Sequence, residues 1–273
     1  MTAPKPPSKP RLIRMYSNDN IAIVGNDGGL AAGTTIPDGL TLKEKVPQAH
    51  KVALTNLATG QPLSVAAVLL TGGQGSRLGG CAKSLVQVDG KPLVLRQLEA
   101  LHAAGIQQIV VVTGFYHAEV ETLLRTSAAT AAWAQTVRVV RNPAPENGQQ
   151  SSVLHGLTAL AAPYALALVV LVDQPLMTAH DYQECIEAYN GRPPRTCIAY
   201  PRVDGKRGNP VALGHEAVQA VLASGETCRA FIESHRELVH QYPSQNGHFL
   251  ADIDTMSDIK NLREQAGLNL QLP

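Results

Sequence analysis

The run Val65-Ala66-Ala67-Val68-Leu69-Leu70 passes without a break into Thr71-Gly72-Gly73-Gln74-Gly75-Ser76-Arg77-Leu78-Gly79-Gly80, with Lys83 three residues on. An unbroken apolar run has no polar face, so it predicts a strand buried on both sides, as in the middle of a parallel sheet. Glycines at the carboxyl end of such a strand let backbone N–H groups point inward at close range, a nest suited to phosphate oxygens. Arg77 and Lys83 add charge that would balance a triphosphate. The competing reading of the same residues is a flexible turn with solvated basic side chains.

Two familiar phosphate loops can be tested directly. A Walker A loop ending at Lys83-Ser84 needs glycine at 77 and 82, where Arg77 and Ala82 stand. A dinucleotide fingerprint starting at Gly73 needs glycine at 78, where the chain has Leu78. Neither fits.

From Ser64 onward, apolar runs of strand length alternate with segments of helical spacing, which predicts an α/β fold: a Rossmann-like, three-layer domain with a mostly parallel sheet over 64–273. Strands are expected at Val65–Leu70, Gln108–Thr113, Thr136–Val140, Ala165–Val172, Cys197–Tyr200, Pro210–Leu213 and Phe249–Ile253. Helices are expected at Leu93–Ala104, closed by Gly105, and at His117–Thr126, Gln150–Ala161, Ala179–Tyr189 and Met256–Gln265. Ahead of this domain, 11–63 reads as a small β-rich module. Its short runs Ile21–Val24 and Lys51–Leu54 are separated by the turn signals Asn26-Asp27-Gly28-Gly29 and Pro37-Asp38-Gly39. Residues 1–10, with four prolines and two lysines, read as a disordered lead-in. The boundary between module and domain falls near Pro62 to Ser64.

Charge and composition remove whole classes of partner. With 23 basic and 22 acidic residues the formal net charge is +1, so no global field recommends nucleic acid or an anionic membrane. Cys81, Cys185, Cys197 and Cys228 are scattered without C-x-x-C spacing, which argues for plain thiols in a reducing compartment. The most apolar stretch, Tyr164 to Val172, is far shorter than the roughly 20 residues that cross a bilayer. The amino terminus lacks the apolar core of a secretory signal. The expected location is the cytoplasm.

A triphosphate held by such a loop calls for a divalent ion held by carboxylate near the strand ends. Asp173 directly follows the apolar strand Ala165–Val172, where ligands bind outside the carboxyl ends of a parallel sheet. Its alternative use is as a cap for the helix starting near Thr178. Asp252 and Asp254, two apart on the last expected strand, are the candidates for the second acid; one of them is expected to serve the site, and Asp254 has an alternative use as a helix cap. Oxygen ligands without a Cys/His cluster favour Mg2+ over zinc. Asn142 has a turn role as its alternative use. Ser151 and Ser152 open a helix at the same end of the sheet, to bind phosphate or to cap that helix.

The loop pattern L-x-G-G-x-G-x-R-[ML]-G-G-x-x-K, followed by Gly90-Lys91-Pro92-Leu93, resembles the MobA-like nucleotidyltransferases. The resemblance continues through Arg141-Asn142-Pro143, Gly148-Gln149-Gln150-Ser151-Ser152, Val172-Asp173-Gln174-Pro175-Leu176, Arg207-Gly208-Asn209-Pro210 and Asp252-Ile253-Asp254-Thr255. It spans 64–273, and the second half is most similar to the molybdenum cofactor cytidylyltransferases. The resemblance implies a nucleotide held by Leu70, Thr71, Gly72, Gly73, Gly75, Ser76, Arg77 and Lys83, with Asn142 near its base or ribose and Ser151 and Ser152 beside it. It implies Arg77, Lys83 and Asp173 as the catalytic set, and by its D-[IV]-D-T motif it favours Asp252 as the second metal ligand. CTP is the implied donor and molybdopterin the implied acceptor, with a molybdoenzyme or its chaperone as the onward partner. Leu70-Thr71-Gly72-Gly73 departs toward the guanylyl enzymes' L-A-G-G, which keeps GTP as the alternative donor. Ala82 is a second departure, standing where many relatives carry a polar residue.

A second resemblance covers 12–63. Asp19-Asn20-Ile21-Ala22, Ala32-Gly33-Thr34 and Ala49-His50-Lys51 are similar to the SAF-type amino-terminal module of the altronate and galactarate dehydratase family, without that family's large catalytic part. In that family a histidine at the place of His50 follows a glycine; here Ala49 precedes it. Two rival functions remain open: another nucleotidyltransferase, for example of sugar phosphates, or a sugar-acid or partner-binding module joined to a nucleotide sensor. The presence of both Lys83 and Asp173 speaks against a dead sensor.

Overall fold

The computed structural model describes residues 9–13, 21–36, 41–48, 51–53 and 64–273, and the chain divides into two compact units, Met1–Pro62 and Leu63–Pro273. The expected lead-in before residue 9, the Pro37-Asp38-Gly39 turn, Asp19-Asn20, His50, Leu54 and most of the proposed boundary lie outside the described residues.

The first unit is a small antiparallel sheet in which β1 (Leu12–Ile13) pairs with β2 (Ile21–Val24), and β2 with β3 (Lys51–Ala53). The expected turn at Asn26-Asp27-Gly28-Gly29 is present, closed by a hydrogen bond from Gly29 N to Asn26 O at 2.9 Å. Ala22, Val24, Leu30, Ile36 and Leu42 form its core. Gly29 has φ +87°, and a Cβ there would run into the Val46 carbonyl, so the turn requires glycine.

The second unit is α/β, as expected. Its first strand is β4 (Val65–Leu70). A short three-stranded sheet combines β5 (Gln87–Val88) and β6 (Lys91–Pro92) with the carboxy-terminal β14 (Leu270–Gln271). Then come α1 (Leu93–Ala103), β7 (Gln108–Thr113), α2 (His117–Ser127), β8 (Val137–Arg141), α3 (Gln149–Thr158), β9 (Leu166–Leu171) and α4 (Ala179–Asn190). The last part holds β10 (Ile198–Val203), β11 (Lys206–Arg207), β12 (Val211–Gly214), α5 (His215–Ser224), α6 (Cys228–Ser234), β13 (Val239–Pro243) and α7 (Met256–Ala266).

Among the described residues the main sheet has eight strands, in the order β11-β10-β12-β9-β4-β7-β8 with β13 pairing β10. Strands β8, β7, β4 and β9 run parallel, while β12 is antiparallel to both β9 and β10. Successive residues of β4 face opposite sides: Val65, Ala67 and Leu69 enter the core under α1, α2, α4 and α7, and Ala66, Val68 and Leu70 the core under α3, α5 and α6. That two-sided burial makes the third layer and explains the uninterrupted apolar run. Gly156 lets α3 approach closely, since a Cβ there would meet Val68 and Val112.

Chain order in the parallel half places β4 between β7 and β9, so the winding reverses between β4 and β9. This reversal opens a crevice beyond their carboxyl ends, the usual ligand position in open α/β sheets. Leu70 is in register with Leu171 across that junction, which brings Thr71 and Asp173 to the same rim.

Three features differ from the sequence expectation. Phe249–Ile253 is not a strand. Gly247–Leu250 forms a 3-10 turn capped by the Asn246 side chain, and the extended residues after it have no strand partner. The strand lies earlier, at β13, where polar alternation in Val239-His240-Gln241-Tyr242-Pro243 hid it. Helices α5 and α6 were also not anticipated.

Candidate active site

The loop leaving β4 is fixed at its root by Thr71, whose N–H and hydroxyl both donate to Val112 O, at 2.9 and 2.8 Å. Leu70 and Thr71 are buried at the root of the loop. Gly72 packs against Gly114; a Cβ on Gly72 would lie 3.3 Å from Gly114 Cα and 3.4 Å from Ser152 Oγ. Gly75, Gly79 and Gly80 have φ of +62°, +78° and +76°, the left-handed region that glycine enters without penalty. Ser76 and Arg77 start an exposed 3-10 turn that buries Leu78. Among the described residues nothing accepts a hydrogen bond from the N–H groups of Gly72, Gly73, Gln74 or Gly75. Backbone donors left open in this way are what an anion-binding nest requires.

Lys83, at the start of the next 3-10 turn, reaches the aspartates at the rim. Its ammonium donates to Asp173 Oδ2 at 2.8 Å and to Asp254 Oδ1 at 2.5 Å. Asp254 also receives Arg77 Nη2 at 2.8 Å. Burial works against the Lys83 charge, but the two carboxylates outweigh it and hold the ammonium above its ordinary value. Asp173 Oδ1 is buried and has no hydrogen-bond partner among the described residues.

Both aspartates are free for this arrangement because threonines cap the neighbouring helices. Thr178 and Asp181 make a capping box at α4, and Thr255 and Asp258 make one at α7. Neither Asp173 nor Asp254 is a cap. Ile253 N–H donates to Asp173 O at 2.9 Å, which seats the 252–254 segment against the end of β9. Residues two apart in extended backbone share a face, so Asp252 and Asp254 fall on the side opposite the buried Ile253 and pleat geometry does not separate them. Asp252 belongs to the same cluster: burial, then the charges of Asp173 and Asp254, push its carboxyl above the usual range.

A second group lines the rim at β7 and β8. Asn142 Oδ1 accepts from Ala144 N at 3.0 Å, an Asx turn, and from Ser151 Oγ at 3.3 Å. Its Nδ2 donates to Ser152 Oγ at 3.0 Å. Gly148, not a serine, occupies the cap position of α3, and no side chain caps that helix. Ser151 and Ser152 therefore tie the first turn of α3 to Asn142 rather than cap it.

Gly114, Tyr116, Gln174 and Phe249 O were not singled out from the sequence. Phe249 O accepts from Asn209 N and from Gln174 Nε2, both at 3.0 Å, joining the Arg207–Pro210 turn to the residue after Asp173. A glycine followed by an aromatic at the end of the strand next to β4 was the available signal for Gly114 and Tyr116; a main-chain oxygen leaves none.

Among the described residues no three His, Cys, Asp or Glu side chains gather to hold a metal ion by themselves. Magnesium does not require such a cage, since it keeps waters and uses one or two carboxylates with substrate phosphates. The unpartnered Asp173 Oδ1 and the crowded acids beside it fit that donor set. No described helix is long and apolar enough to cross a membrane.

Residues 67–243 match the MobA-like NTP transferase domain family, and residues 10–64 match the altronate/galactarate dehydratase SAF domain. The chain is 56% identical over 45 residues to galactarate dehydratase (L-threo-forming) of Escherichia coli; this is 16% of the chain and 9% of that protein's length. It is 28% identical to nicotine blue oxidoreductase of Paenarthrobacter nicotinovorans over 208 residues, 72% of the chain and 96% of that protein. A solved nucleotidyl transferase from Methanothermobacter superposes with a TM-score of 0.59 at 22% identity, covering 74% of the chain and 96% of its own.

Proposed function

We propose that this chain, which belongs to the MobA-like NTP transferase family, transfers a nucleoside monophosphate from a nucleoside triphosphate to a phosphorylated acceptor and releases pyrophosphate. The observation that carries this reading is Lys83, held between Asp173 and Asp254, with Asp254 also paired to Arg77 of the loop whose N–H groups are unpaired among the described residues. Cations for a triphosphate and carboxylates for a divalent ion thus meet at one place.

In this reading the N–H groups of Gly72, Gly73 and Gly75, the Ser76 hydroxyl, Arg77 and Lys83 bind the phosphates. Asn142, Ser151 and Ser152 form the wall beside the base or ribose. Asp173 holds Mg2+, with Asp252 and Asp254 as the acids from which its second ligand comes. The ion, when bound, supplies charge neutralisation on the triphosphate and polarisation of the α-phosphate. An acceptor phosphate oxygen attacks the α-phosphorus in line, and the bond to the β-phosphate oxygen breaks. Catalysis by positioning and charge needs no covalent nucleophile from the protein.

CTP is the favoured donor, because Gly148–Ser152 and Asp173–Leu176 are similar to the cytidylyl enzymes over more of the site than the guanylyl-like Leu70–Gly73 covers. A molybdopterin-type compound is the favoured acceptor, and a molybdoenzyme or its chaperone the onward partner. Pyrophosphate release with CTP, GTP and UTP, with and without molybdopterin, tests the reading; release that needs CTP and molybdopterin supports it. A second reading follows the oxidoreductase name of the relative that matches 72% of the chain. No pyrophosphate from any triphosphate would favour that reading.

A further inference from the structure

The geometry points to Tyr116 as the positioning residue of the phosphate loop: its hydroxyl straps the two arms of the loop together and thereby aims the loop's N–H groups at the polyphosphate. The inference rests on reading that loop as a phosphate site. Tyr116 follows Gly114 and Phe115 at the end of β7 and stands at the cap position of α2. Its own carbonyl accepts from Val120 N at 3.1 Å, and His117 N donates to Gly114 O at 3.1 Å, so the residue is anchored in a regular helix. From there the single hydroxyl proton is shared between two carbonyl oxygens, Gln74 O at 3.0 Å and Gly80 O at 2.5 Å. These carbonyls lie on opposite arms of the loop.

A trans peptide points its C=O and N–H in opposite directions. A hydroxyl holding the Gln74 carbonyl therefore turns the Gly75 N–H away from Tyr116, and one holding the Gly80 carbonyl does the same for Cys81 N–H. The Gly75 N–H is among the donors with no partner. Five glycines between 72 and 80 give this segment high conformational entropy. A loop of that composition binds anions tightly only when it is ordered beforehand, because ordering on binding subtracts from affinity. Gly72 against Gly114 fixes the root of the loop, and Tyr116 is the side chain that fixes its far end.

The test uses the full chain with Mg2+ and four probes, namely inorganic tripolyphosphate, CTP, GTP and CMP, titrated into wild type and Tyr116→Phe. Phenylalanine keeps the ring and removes only the hydroxyl. The variant is expected to bind tripolyphosphate, and whichever triphosphate the wild type binds, about five- to tenfold more weakly, while CMP affinity and the melting temperature of the ligand-free chain stay as in wild type. Tyr116→Leu should show the same split. Equal tripolyphosphate affinity in wild type and variant overturns the inference, as does a loss shared equally by CMP. Failure of the wild type to bind tripolyphosphate also overturns it. A wild type that binds tripolyphosphate but neither CTP nor GTP, with Tyr116→Phe still weakened, upholds the strap and sinks the nucleotide reading.

Discussion

The two walls of the crevice are built on opposite principles. The Thr71–Lys83 loop uses its side chains sparingly and leaves main-chain donors open. The 246–255 segment satisfies its main chain, through the Asn246 cap, Ile253 N–H to Asp173 O and the Thr255 box, and presents carboxylates. The first wall suits an anion of changing shape, and the second suits a small cation with fixed demands. Lys83 crosses from one to the other, so its ammonium offsets part of the charge of the acidic wall.

Breaking the acidic wall should have the largest effect. Asp173→Asn keeps the shape but removes a ligand charge, and pyrophosphate release should fall about a thousandfold, with circular dichroism unchanged; normal turnover would remove Asp173 from the metal site. Next comes the crossing residue. Lys83→Met should weaken triphosphate binding by about 1.5–3 kcal/mol, the range for a hydrogen bond to a charged group, measured by calorimetry. Full affinity in that variant would confine Lys83 to a role within the acidic wall.

Breaking the main-chain wall should cost less. Gly75→Ala places a side chain at φ +62° against the Cys81 carbonyl, and forcing a left-handed residue costs about 1–2 kcal/mol, read as lost affinity for tripolyphosphate. The smallest effect sharpens the contrast by sign. Asp252 has its carboxyl raised by burial and by the neighbouring acids, so its contribution to stability falls as pH rises from the unfolded-state value through the folded-state one. Asp252→Asn should melt higher than wild type at pH 7, and the gap should close below the ordinary carboxylate range. A variant less stable at pH 7 would show that Asp252 is not in the crowded cluster.

The same contrast explains what could be read from the amino acids. The glycine wall was legible because backbone recognition leaves a compositional trace, with Gly72, Gly73, Gly75, Gly79 and Gly80 following a run that could only be a central strand. Asp173 was legible for the same topological reason. The acidic wall was not, since Phe249–Ile253 has strand-like residues but its local bonding makes a 3-10 turn and an unpaired stretch. Pleat geometry offered no choice between Asp252 and Asp254, because residues two apart share a face. Strand β13 was hidden by its polar alternation. Tyr116 was hidden because its partners are carbonyls 36 and 42 residues away, contacts with no side-chain signature.

The Phe249 carbonyl oxygen has a consequence for how this molecule can be dissected. It joins the Arg207–Pro210 turn to Gln174, one residue from Asp173, through two hydrogen bonds to a single atom. Alanine scanning sees only half of that joint: Gln174→Ala removes the side-chain donor, but the Asn209 N–H bond is main chain at both ends, and replacing the buried Phe249 ring empties a volume and leaves the oxygen in place. An ester in place of the Asn209 amide would delete one of the two bonds while keeping every side chain. Part of what aligns the two halves of this sheet is therefore invisible to genetics and open only to chemical synthesis.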